Sequence, residues 1–168
     1  APLWEVALDR GTHPSDPTAV RIDGSNVDVV VTTIDASSGA MWAWKVDGGT
    51  GALDWERAPI PGTDSDQDAP RLRLPGPVIV QLDADAEPEV ILTVPTDPNG
   101  RTSGSGARFV AMELTSTTEI FSFRAPNGYA DAPPLPIDTD DDGIHDRLCW
   151  VTWYSSSATN LDRQGMAG

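Results

Sequence analysis

The apolar positions of this chain fall in short, β-branched runs, and long helical periods are scarce. Asp28-Val29-Val30-Val31-Thr32, Glu89-Val90-Ile91-Leu92-Thr93 and Leu148 to Tyr154 are the clearest runs. Each follows an acidic, turn-forming stretch, and such runs between turn clusters predict strands. Fifteen Gly and fifteen Pro add to the picture of a turn-rich, all-β protein.

The runs belong to an internal repeat. Pro17-Thr18-Ala19-Val20-Arg21-Ile22-Asp23 is its first copy, Pro77-Val78-Ile79-Val80-Gln81-Leu82-Asp83 its second, and Pro134-Leu135-Pro136-Ile137-Asp138-Thr139-Asp140 its third. Each continues through an acidic loop into an acid-led strand. Between the copies, Ala43 to Trp55 aligns without gaps onto Ala111 to Phe123, each read as strand, tight turn and strand ending on an aromatic. The Gly-rich turn at 47–51 suits a hairpin that needs positive φ. One repeat is therefore four antiparallel strands, and four strands recurring at this period predict β-propeller blades. The boundaries are about 15–60, 75–126 and an incomplete 132–168, within a single segment spanning 1–168. Residues 1–9 match the last strand of a preceding blade. About 2.5–3 blades are present, which predicts part of a larger propeller or a chain completed by other copies.

The acidic loops carry the candidate chemistry. Asp138 to Asp146 reads D-x-D-x-D-G-x-x-D, placing carboxylates at loop positions one, three, five and nine. Gly143 at position six permits the sharp turn that gathers them. Asp138, Asp140, Asp142 and Asp146 are the expected carboxylate ligands, with the Ile144 carbonyl as backbone ligand. Position twelve, where an EF-hand needs glutamate, is Cys149, so a strand-loop-strand calcium site is expected instead. The second loop offers Gln81, Asp83, Asp85 and Glu89, with the Glu87 carbonyl and with Ala86 in place of the glycine. The first has Arg21 and Ser25 at positions one and five and is one residue shorter before Asp28. It is expected to be metal-free, with Arg21 standing in for the ion.

These loops resemble the FG-GAP or VCBS repeats of integrin-type β-propellers, and the Asp47–Trp55 segment resembles the outer hairpin of quinoprotein-like blades, with their Thr-Gly and closing Trp. The motif is complete at 138–146, lacks its glycine at 81–89 and is degraded at 21–28. The resemblance implies a calcium-stabilised propeller and no particular activity, because such blades serve adhesion, carbohydrate binding and enzyme scaffolds alike.

Charge narrows the partners. A formal net charge of −15 argues against nucleic acid and anionic membranes, both of which need a basic face. No run reaches the length of a membrane span. The opening Ala1-Pro2-Leu3-Trp4 lacks the order of a signal peptide and fits a processed or excised N-terminus. Two histidines and a single cysteine provide no zinc cluster, and Ca2+ suits an all-oxygen cage better than Mg2+. His145, at position eight of the loop, is expected on the surface, pointing away from the ion.

Catalytic signals are sparse. No serine stands in a nucleophile elbow, the clustered carboxylates read better as ligands than as a glycosidase pair, and Gly100–Gly106 lacks phosphate-loop features. Trp4 and Trp55 are expected to fill space between blades, while Trp42 and Trp44, sharing a strand face, offer packing or an exposed stacking pair. The leading expectation is a non-catalytic, extracellular calcium-binding module for adhesion or recognition of a carbohydrate or protein ligand. The alternatives are the scaffold of a secreted polysaccharide-active or quinone-dependent enzyme, and a structural subunit that assembles with other copies into a filament or sheath.

Overall fold

The computed structural model describes residues 4–11, 13–21, 27–34, 40–56, 74–94, 108–124, 132–155 and 161–164. These residues form antiparallel sheets with no helix. The first sheet contains β1 (His13–Pro14), β2 (Thr18–Val20), β3 (Asp28–Ile34), β4 (Met41–Val46) and β5 (Leu53–Glu56). β3, β4 and β5 are sequential neighbours, and β1 and β2 lie end to end along β3. Pro14 and Pro17 interrupt that outer line because neither has an N–H to give. Ser15 stitches the break: its N–H donates to the Thr32 carbonyl at 2.8 Å, and its hydroxyl accepts from the Thr32 N–H at 3.1 Å.

The second sheet is a four-strand meander of β6 (Val78–Val80), β7 (Glu89–Val94), β8 (Arg108–Glu113) and β9 (Glu119–Arg124). The four strands expected of a blade are present in both sheets. The hairpin alignment, however, requires a correction of two positions. In the β4–β5 turn the Asp47 N–H donates to Ala52 and the Gly51 N–H to Asp47; in the β8–β9 turn the Glu113 N–H donates to Thr118 and the Thr117 N–H to Glu113. Gly51 and Thr117 share positive φ, 76° and 59°. The register shift falls at Lys45/Val46 in one sheet and at Ala111/Met112 in the other. Lys45 therefore corresponds to Ala111, Asp47 to Glu113 and Trp55 to Phe121. On the inner strands, Val20 opposite Asp28 corresponds to Val80 opposite Glu89.

With these equivalences the stacking is head to tail. Val30, Met41 and Ala43 of the first sheet share a core with Leu92, Val94, Val110 and Met112 of the second. The opposite face of the second sheet, with Ile91, Phe109 and Ala111, packs against Leu148 and Trp150. Ile91 and Phe109 are the counterparts of Val30 and Ala43, so equivalent faces always point the same way along the stack. Each fully buried aliphatic or aromatic side chain contributes about 1.5–3 kcal/mol, so this shared core outweighs the Thr18 hydroxyl to Pro77 carbonyl bond near the inner strands.

The tryptophans follow the same logic. Trp55 Nε1–H donates to the Leu114 carbonyl at 3.0 Å, tying β5 to the outer hairpin of the next sheet. Trp4 Nε1–H likewise donates to the Gly48 carbonyl at 2.8 Å on the outer hairpin of the first sheet, but residues 4–9, expected as the last strand of a preceding blade, form no strand. Trp42 and Trp44 are 7% and 1% exposed beneath Leu8, which removes them as an exposed stacking pair. Trp44 Nε1–H donates to the Thr33 hydroxyl.

The third copy differs from the continuous strand expected over Leu148–Tyr154. β10 (Leu135–Ile137) pairs with β11 (Arg147–Cys149), and β12 (Thr152–Ser155) pairs with β13 (Leu161–Gln164) as a separate two-stranded sheet. The run breaks at Trp150–Val151, where the Trp150 ring packs 5.0 Å from Phe123 and 5.9 Å from Phe109. Among the described residues the sheets do not close into a barrel or ring.

Candidate metal centre

The third loop joins β10 to β11 and folds around its first residue. Asp138 Oδ1 accepts the N–H groups of Asp140 at 3.2 Å and Asp141 at 2.7 Å, and Oδ2 accepts that of Gly143 at 2.8 Å. Asp142 Oδ1 accepts the Ile144 N–H at 2.8 Å. Gly143 has φ 91°, and a Cβ there would meet nothing within 4 Å, so glycine is needed for its backbone conformation and not for space. Carboxylate oxygens of Asp138, Asp140 and Asp142 converge within 4.8 Å of one another. Asp146 stands outside this trio, its Oδ2 accepting the Thr139 hydroxyl at 2.6 Å.

The electrostatics of the trio are opposed. The Gly143 N–H, with those of Asp141 and Asp140, holds the Asp138 carboxyl below its ordinary value. Asp140 is pushed up, chiefly by the charge of Asp142, then by desolvation and by Asp138 and Asp146. A cation among the three would relieve that repulsion.

The second loop has the opposite polarity. Gln81 Nε2–H donates to the carbonyls of Asp85 at 2.8 Å, Asp83 at 3.0 Å and Glu87 at 3.4 Å. Asp83 Oδ1 accepts the Asp85 N–H, and Asp85 Oδ1 the Glu87 N–H. Glu87 reaches sideways to the Thr115 hydroxyl on the β8–β9 turn. Carboxylate oxygens of Asp83, Asp85 and Glu89 lie within 4.8 Å of one another. Glu89 is fully buried; its Oε2 accepts the Leu82 N–H, and its Oε1 has no hydrogen-bond partner. Desolvation pushes its carboxyl up, against the Leu82 bond, with Asp83 and Glu113 adding like charge.

Residues 22–26 of the first loop lie outside the described residues. The cation seen beside its closing acid is Lys45: Nζ is 3.5 Å from Asp28 and 3.3 Å from Asp54, with the residue only 8% exposed. Arg21 is exposed at the end of β2. Sequence reasoning assigned the neutralising role to Arg21 because that residue occupies loop position one. The signal for Lys45 is its place in Met41-Trp42-Ala43-Trp44-Lys45, a lysine on the face that Met41 and Ala43 make apolar.

His145 also differs from expectation. It is half-buried, its N–H donates to the Gln81 carbonyl at 2.7 Å, and its Nδ1 lies 3.1 Å from the same oxygen, a hydrogen bond in the Nδ1–H tautomer. The second and third loops are thereby tied together. Beside this tie lies an open cleft of about 520 Å³, floored by Phe121, Phe123, Leu148 and Trp150 and edged by Asp83 and Asp146.

Comparisons with protein-family models, with curated proteins and with solved structures each found no match to this chain.

Proposed function

We propose that this chain is a calcium-stabilised β-propeller segment, an extracellular, non-catalytic module for adhesion or recognition. The observation that carries the reading is the buried carboxylate of Glu89, with one oxygen unpartnered, converging with Asp83 and Asp85. A buried ionised carboxylate is costly unless a cation completes it. The third loop supports the same reading, because its backbone already holds Asp138 among Asp140 and Asp142. The propeller reading rests on the head-to-tail stacking, which a ring of blades requires, and on the repeated tryptophan-to-hairpin bond. Millimolar calcium outside cells suits loops of this type. The aromatic-floored cleft between the two loops is the surface such a module would present to a carbohydrate or protein ligand.

Thermal unfolding followed by far-UV circular dichroism in EDTA, in calcium and in magnesium tests this. Calcium at a hundred times its Kd adds about 2.7 kcal/mol, a rise of about 5–10 °C for a chain of this size. A melting temperature unmoved by calcium would refute the reading.

A further inference from the structure

The two four-strand layers face the same charge problem with different residues. In the first, Asp28 ends the pairing with β2 opposite Val20; in the second, Glu89 holds that place opposite Val80. Both acids open an apolar strand beside an outer hairpin that itself begins with an acid, Asp47 or Glu113. In the first layer Lys45 projects from the neighbouring strand and its ammonium lies against Asp28. In the second, the corresponding residue is Ala111, which brings no charge.

Among the described residues, the rest of the second layer offers no replacement. Arg108 lies opposite Val94, at the other end of β7 from Glu89. Gln81 gives its amide to three carbonyls and no bond to Glu89. Asp83 and Asp85 add charge, and Glu113 stands directly across from Glu89. Glu89 Oε1, buried and unpartnered, is therefore the oxygen that awaits a cation.

We propose that a divalent cation held by Asp83, Asp85 and Glu89 governs the order of the β6–β9 sheet, whereas Lys45 serves as the resident cation of the β1–β5 sheet and keeps that layer ordered without metal. The inference rests on the calcium reading of the second loop and adds to it a division of labour. One layer is a constant platform. The other tightens when calcium is present, and the interlayer core and the aromatic cleft tighten with it, because Leu92, Val110 and Met112 line one face of that sheet and Phe109 the other.

Hydrogen exchange of the whole chain, read by mass spectrometry on peptides from 78–91 and 28–46, tests the division, with calcium uptake measured in parallel by isothermal titration. In calcium at a hundred times its Kd, exchange in 78–91 should slow by about a hundredfold relative to EDTA. Exchange in 28–46 should change by less than about threefold. Lys45→Met should speed exchange in 28–46 by about tenfold with or without calcium, since the first loop lacks the acids to bind an ion in its place. Ala111→Lys should protect 78–91 in EDTA; because Ala111 is fully buried, the wild-type comparison and Lys45→Met decide if that variant does not fold. Calcium uptake with equal slowing in both layers, or with none in 78–91, would overturn this inference and leave calcium binding standing. No uptake at all would overturn both.

Discussion

The second and third acidic loops are near-copies in spacing and opposites in lining. At position one of the third loop a carboxylate, Asp138, draws three backbone N–H groups inward. At position one of the second loop an amide, Gln81, draws three backbone carbonyls inward. A single side chain thus sets the polarity of the surrounding backbone, because inward peptide groups must match its donors or acceptors. In the third loop the matched state leaves the acids of positions one, three and five grouped at the surface. In the second, the amide takes up carbonyls that a cation would otherwise use, and the charge demand moves inward to Glu89.

The comparison is most directly broken at Asp138. Asp138→Ala removes the acceptor of three N–H bonds and one proposed ligand together. Its calcium affinity by isothermal titration should fall by about a hundredfold, equivalent to two charge-assisted contacts of about 1.5 kcal/mol each. An unchanged affinity would mean that the third loop is a solvated turn. A smaller effect is expected from Gln81→Asp, which gives the second loop the first residue of the third. Affinity at the second loop should rise about tenfold, because added ligand charge tightens calcium loops. In EDTA the same variant should melt earlier, since three carbonyls lose their donor; a higher melting temperature in EDTA would reverse the argument. Gly143→Ala should have the smallest effect, about 1 kcal/mol of stability, all of it from positive φ. Chemical denaturation with and without calcium checks it, and a cost well above that would reveal a contact at Gly143.

Much of this architecture was legible in the sequence. The acid-led runs became β3 and β7, the Gly-rich turn became a hairpin, and Trp55 lies between the two layers. What escaped was register. Sliding the second hairpin by two positions keeps strand, turn and aromatic in place, and only backbone detail separates the frames. Thr117 adopts the conformation for which the first hairpin uses Gly51, so residue type pointed away from the correct frame. Lys45 was missed because it reaches Asp28 from a neighbouring strand and not from the loop. His145 was placed on the surface because loop position alone says nothing about a carbonyl 64 positions earlier, at Gln81.

The consistent direction of stacking has a consequence for how such a chain changes over generations. Every layer offers one kind of face and receives the other, so the contact is heterologous and not self-complementary. A duplicated four-strand unit would meet neighbours already shaped to accept it, and a deleted one would leave compatible faces to join. Length can then vary in whole units while each loop diverges separately, which is how one repeat can come to carry a lysine where its sibling carries an alanine.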